Sequence, residues 1–162
     1  MSIRSVWHAG FSVSDLERSI SFYRDVLGLE LRHRQTGDNK YTRTLVGYDD
    51  AVIHVAQFTI PGQSPPSGHV LELIEYETPR GEAIAASNAR IGSAHLAFEV
   101  DDIRAMAARI VESGGSLVSE PVAITAGINA GGWAMYLRDP DGITLELLQP
   151  ASRTPGKAED ND

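Results

Sequence analysis

The chain of 162 residues contains no cysteine, which excludes both a disulfide framework and a thiolate metal site. Positive charge is scarce: 14 Lys and Arg stand against 22 Asp and Glu, a formal net charge of -8, with no basic cluster. Nucleic acid and anionic membrane surfaces need a concentrated cationic footprint, so neither is expected as a partner. No apolar run approaches the length of a membrane span. The start, Met1-Ser2-Ile3-Arg4, leads into a strand without the apolar stretch of a signal peptide, and a cytoplasmic protein is expected. What is present is a hydrophobic content of 42%, enough for one domain over residues 1–150 with its own core. The polar tail 151–162, with Pro155 and Gly156, is expected to be disordered.

Two stretches read as copies of one another. His8-Ala9-Gly10-Phe11-Ser12-Val13-Ser14-Asp15-Leu16 matches His95-Leu96-Ala97-Phe98-Glu99-Val100-Asp101-Asp102-Ile103 in its His, aromatic, Val, Asp and aliphatic positions. Further on, Leu71-Glu72-Leu73-Ile74 matches Leu145-Glu146-Leu147-Leu148. A duplicated unit repeating a His and a Glu can bring two imidazoles and two carboxylates to one centre, the ligand set of a divalent cation.

Each copy starts with an alternating strand. Trp7, Ala9, Phe11 and Val13 oppose His8, Gly10 and Ser12; Ala94, Leu96, Phe98 and Val100 oppose His95, Ala97 and Glu99. A helix follows in each, with Ser14 and Glu17 as a capping box in the first and Asp101 or Asp102 capping the second. Leu16, Ile20, Tyr23 and Leu27, then Ile103, Ala107, Ile110 and Val111, recur at helical spacing, and Gly28 and Gly114-Gly115 end the helices. Strands are expected over 30–34, 41–46, 52–58 and 70–76, two of these being one bent or edge strand, and over 117–120, 133–138 and 143–149. Asp139-Pro140-Asp141-Gly142 is a tight-turn signal in which both aspartates act as turn formers. The insertion Pro61 to Gly68 is a loop of the first copy alone, and residues 81–90 are expected to form a short linking helix. The expected class is α+β: two βαβββ modules, about 4–78 and 92–150, forming a cupped mixed sheet around a metal site.

Strand alternation sets Glu72 and Glu146 on the sheet surface that carries His8 and His95, because the leucines flanking each Glu belong to the helix-facing layer. A carboxylate so flanked is costly unless paired, hydrogen-bonded or metal-bound. The bland alternative, hydrogen-bonded histidines and solvent-facing glutamates, fits any one of the four better than all four together. His54 is a rival to Glu72 should Val52–Phe58 be the terminal strand of the first copy; His33 and His69, in polar or loop contexts, are expected at the surface. Two imidazoles and two carboxylates neutralise a divalent ion and leave two positions of an octahedron open. Such a centre chelates adjacent substrate oxygens and stabilises an enediolate as a Lewis acid, with Glu72 or Glu146 as the base. Ni, Co, Mn, Fe, Zn and Mg all suit the set.

On these residues the chain resembles the vicinal oxygen chelate superfamily, which spans glyoxalase I, methylmalonyl-CoA epimerase, fosfomycin- and bleomycin-resistance proteins and extradiol dioxygenases. The resemblance covers about Val6 to Pro150 and is carried by Asp15 to Tyr23, Val26 to Leu29, Ala94 to Asp102 and Arg138 to Glu146. It implies paired βαβββ modules, often homodimers, with metal ligands at His8, Glu72, His95 and Glu146. Glyoxalase I members usually carry an Arg four residues after the first ligand to hold glutathione, where this chain has Ser12. The epimerase usually has a tandem His at the third ligand and lacks the Asp-Pro-Asp-Gly turn; here Ala94 precedes His95 and the turn is present.

Three functions follow as expectations. The first is a metal-dependent lyase or isomerase of the glyoxalase type, acting on a small carbonyl substrate with vicinal oxygens. The second is an iron(II) dioxygenase of the extradiol type using His8, His95 and Glu146, which requires Glu72 to face away. The third is a metal-free binding protein of the resistance type, which four intact ligand positions oppose. Residues 124–132 are read as a mobile cover or an ordinary connection, and Tyr41, Arg43 and Tyr136 as cavity-lining or structural strand residues.

Overall fold

The computed structural model describes residues 2–85 and 87–151. The chain divides into two units, one of Met1–Ser93 with Asp139–Ile143 and one of Ala94–Arg138 with Thr144–Asp162. Each holds an open, mixed sheet with a helix beside it, an α+β arrangement.

In the first unit the strands are β1 (Ala9–Val13), β2 (Glu30–Gly37), β3 (Val52–Thr59) and β4 (Leu71–Thr78), ordered β1-β4-β3-β2. β1 runs parallel to β4 and the other pairs are antiparallel. Helix α1 (Leu16–Ser21) packs on β3 and β4 and continues as a π-helical turn, Phe22–Val26. Its cap is Asp15, whose carboxylate accepts the Arg18 N–H at 3.0 Å, and not Ser14. Ser14 is already committed, its N–H and hydroxyl both donating to Asp141. Leu71, Leu73, Ala56 and Phe58 of the sheet and Leu16, Ile20 and Tyr23 of the helix are buried together, as alternation and helical spacing predict.

The segment expected as a strand at 41–46 is instead helix α2 (Lys40–Val46) between β2 and β3. Alternating Thr42, Thr44 and Val46 suggest a strand, but the termini decide otherwise. The Asn39 side chain accepts the Thr42 N–H at 3.0 Å, and Gly47 closes the helix at φ 79°. The four candidate strands after the first helix thereby reduce to three.

The second unit comprises β5 (His95–Glu99), α3 (Ile103–Glu112), β6 (Ser116–Leu117), β7 (Val122–Ala123), β8 (Trp133–Arg138) and β9 (Thr144–Gln149). Its order is β5-β9-β8-β6, with β7 also pairing β8 and β5 parallel to β9. Asp102 caps α3, accepting the Arg104 and Ala105 N–H groups at 3.0 Å. Ile103, Ala107 and Ile110 are buried, as are Met135, Leu137, Leu145 and Leu147, whereas Val111 is exposed. The strand expected at 117–120 shrinks to the two residues of β6.

The linking helix expected at 81–90 is absent among the described residues of that stretch. A helix of that length is marginal without a buried face, and Ile84, its largest apolar residue, is 85% exposed. The expected tail, from residue 152 onward, lies outside the described residues. Among the described residues no helix is long and apolar enough to cross a membrane.

Candidate metal centre

Register fixes where each candidate ligand sits. Gly10 of β1 lies opposite Glu72 of β4, and Ala97 of β5 opposite Glu146 of β9, so in both units a small residue neighbours the carboxylate. Gly10 has nothing closer than 4.0 Å to the place a Cβ would take, leaving that surface open. His8, just ahead of β1, brings its Nε2 to 3.8 Å from Glu72 Oε1. In the second unit, His95 Nε2 stands 3.2 Å from Glu146 Oε2. Each unit therefore pairs its own His with its own Glu. Both glutamates are mostly covered, whereas His95 is half-exposed.

A side chain of the neighbouring strand lies beside each carboxylate. Gln57 of β3 pairs with Glu72 and donates from Nε2 to Glu72 Oε2 at 2.8 Å. Tyr136 of β8 lies opposite Glu146 in the register. The Tyr136 phenol is pushed up from its ordinary value by desolvation and then by the charge and hydrogen bond of Glu146. Its ring also meets the His95 ring edge-to-face, with centroids 5.4 Å apart.

His69, expected at the surface, is instead buried beside this pair. Its Nε2 is 2.9 Å from His8 Nδ1 and 3.8 Å from Glu72 Oε2, and His8, His69 and Glu72 offer ligand atoms all within 4.8 Å of one another. The polar loop before it misleads; the available signal is its place three residues ahead of Glu72 on the same chain segment. Gln57 was invisible because only cross-strand register sets it beside Glu72.

His54 does not replace Glu72. It pairs with Glu75, on the helix-side face of β3, and hydrogen-bonds Thr36 at 3.1 Å and Glu77 at 2.8 Å. A depression of about 300 Å³ lined by Leu16, Arg34, Gln35, Thr36, His54 and Val55 lies on that same face. His33 is exposed, as expected. Tyr41 projects from α2, 73% exposed, while Arg43 reaches the Ala51 carbonyl at 3.4 Å, so neither joins the carboxylates. Residues 124–132 form a closed loop, with Ile124 N–H to Gly132 O and Gly131 N–H to Ile124 O both 2.9 Å.

Within each unit the donors are of the kind that suits a divalent cation, an imidazole beside a carboxylate, and Glu72 keeps lone pairs beyond its Gln57 partner.

Comparison with known proteins identifies the family. The family model "Glyoxalase/Bleomycin resistance protein/Dioxygenase superfamily" matches residues 5–147. A probable lactoylglutathione lyase of Vibrio cholerae is 31% identical over 92% of this chain and 93% of its own length. A 2-epi-5-epi-valiolone epimerase from Actinomyces sp is 30% identical over 93% of this chain and 82% of its own length. Among solved structures, a glyoxalase family protein from Bacillus cereus superposes with a TM-score of 0.79 at 25% identity, covering 93% of this chain and 97% of that one. The chain belongs to the glyoxalase, bleomycin resistance protein and dioxygenase superfamily, and is a glyoxalase-like enzyme.

Proposed function

We propose that this chain is a divalent-metal-dependent lyase or isomerase of the glyoxalase type. His8, Glu72, His95 and Glu146 hold the ion, and the substrate is a small compound with a carbonyl beside a second oxygen. The observation that carries the reading is the repeated His–Glu pairing, at 3.8 Å in one unit and 3.2 Å in the other. A bound divalent ion supplies Lewis-acid polarisation of two adjacent substrate oxygens.

The chain's own groups handle the proton. Glu72 or Glu146 removes it from the carbon next to the carbonyl and returns it to the former carbonyl carbon, while the hydroxyl proton passes to the former carbonyl oxygen, which gives an isomer with no atom lost. Gln57 on Glu72 Oε2 leaves Oε1 as the oxygen free to accept. Tyr136 takes the corresponding register position opposite Glu146 in the second unit. The dioxygenase alternative requires Glu72 to turn away, whereas Glu72 faces His8. Relatives named as a lactoylglutathione lyase and as an epimerase frame the substrate choice. Ser12, where glutathione-binding members carry Arg, favours a substrate without that carrier.

Metal content measured by mass spectrometry tests the reading, on protein purified without chelator and again after loading with Mn, Ni, Co, Zn or Fe(II). Near-stoichiometric metal that falls sharply in Glu72→Ala is expected, followed by turnover of a hydroxy-ketone panel with and without glutathione. Iron held equally tightly by Glu72→Ala would instead support the dioxygenase. No metal under any loading would overturn both enzyme readings.

A further inference from the structure

We propose that His69 is a positioning residue that locks His8 into the tautomer with its proton on Nδ1 and its lone pair on Nε2. The proposal rests on the metal reading above only for the use made of that lone pair; the hydrogen-bond chain stands without it.

The chain of reasoning starts at a backbone carbonyl. His69 Nδ1 lies 3.1 Å from the Ser67 carbonyl oxygen, which can only accept, so Nδ1 carries the proton. A neutral imidazole with its proton there has its lone pair on Nε2. That Nε2 lies 2.9 Å from His8 Nδ1, and the one proton between the two nitrogens must come from His8. His8 is left with a free lone pair on Nε2, the atom that faces Glu72 at 3.8 Å. The Ser67 hydroxyl donates to the His69 carbonyl and pins the turn that sets this geometry. The two rings lie 4.7 Å apart between centroids and 30° from parallel, in a site where His69 is only 8% exposed.

Both nitrogens of His69 are thereby occupied, so it acts through His8 and is not itself a ligand. The arrangement belongs to the first unit alone. Three residues before Glu146 stands Ile143, with no ring to accept from His95. The two halves of the ligand set are therefore unequal: His8 is held from behind by a second imidazole, while His95 has the edge of the Tyr136 ring beside it.

Long-range ¹H–¹⁵N correlation spectra of the histidine rings test this, recorded on metal-free protein at a pH where both rings are neutral and again with zinc alone. His8 and His69 should both show protonated Nδ1 in the metal-free protein. Zinc should move the His8 Nε2 resonance and leave both His69 nitrogens in place. His69→Leu should mix the His8 tautomers and weaken zinc binding about 10- to 100-fold, the usual loss for an outer partner of a metal-bound His. His69→Gln, whose amide oxygen can accept from His8 Nδ1, should restore most of both. A His8 proton on Nε2 in the metal-free protein would overturn the lock. So would an unchanged tautomer in His69→Leu, or a zinc shift at His69 Nε2, which would make His69 a direct ligand. A wild type that takes no zinc, yet shows the His8 tautomer and loses it in His69→Leu, would overturn the metal reading and uphold the lock.

Discussion

Asp141 gathers four donors on its carboxylate: the Ser14 N–H at 3.1 Å, the Ser14 hydroxyl at 2.6 Å, the Arg18 guanidinium at 2.8 Å and the Ser19 hydroxyl at 3.5 Å. Burial pushes this carboxyl up, but the Ser14 bonds and the Arg18 charge outweigh it and leave it below its ordinary value. A depressed carboxylate contributes stability that is present above its unfolded pKa of about 3.9 and is lost as pH falls through the folded value. Asp139, raised by burial despite the Ile143 N–H, the Tyr23 hydroxyl and the Asp141 N–H on its oxygens, acts in the opposite sense and loses its contribution as pH rises. In urea titrations from pH 7 to 3, Asp141→Asn should be weaker by about 1 kcal/mol at neutral pH. The gap should begin to narrow as pH falls below about 4, the unfolded value, and close as pH passes the lower folded value. A gap of the same size at pH 3 as at pH 7, with no narrowing between, would show that the carboxylate's charge is not what matters. Both aspartates were legible as turn formers from their spacing to Pro140 and Gly142. Their partners Tyr23, Ser14 and Arg18 were not, because they lie more than a hundred residues away in sequence and only the folded chain brings them together. His69 is the same lesson at the candidate metal centre: four candidate ligands could be proposed by comparing two copies, but a residue present in one copy has nothing to be compared with.

Elements with a strong period were readable, and short ones were not. β1, β5 and the two Leu-Glu-Leu strands follow from alternation because in each the face carrying the large apolar residues is the more covered one. α2 was misread because its interior favours a strand while its ends specify a helix, and in seven residues the ends are most of the element. Asn39→Ala should therefore destabilise the chain by about 1 kcal/mol through loss of the cap, measured by chemical denaturation. Gly47→Ala, which forces a Cβ into φ 79°, should cost about as much. If neither variant moves the unfolding midpoint, α2 frays independently of the rest of the unit. The opposite error, a helix expected at 81–90, came from local propensity with no apolar face to bury.

At the scale of the chain, the duplication was legible because each copy repeats chemistry as well as pattern. The division into units was legible only in part, since composition says nothing of where contacts cluster. The stretch from Arg80 to Gly92 is exposed and carries no helix or strand among its described residues, with Ile84 and Ile91 outward. Limited trypsin digestion should therefore make its first cuts within residues 2–151 after Arg80 or Arg90. First cuts in β2, after Arg32 or Arg34, would show instead that this edge strand opens more readily than the linker.

The first unit is assembled from two separate stretches of chain, because Asp139–Ile143 clusters with Met1–Ser93. A gene shortened after Ser93 would consequently encode a unit that lacks part of itself: Tyr23 would lose Asp139, and Ser14 and Arg18 would lose Asp141. The repeat is visible in the sequence, yet its two copies are not interchangeable parts. A graft or recombination that replaced the second copy would have to bring along those five residues, whose side chains complete the first.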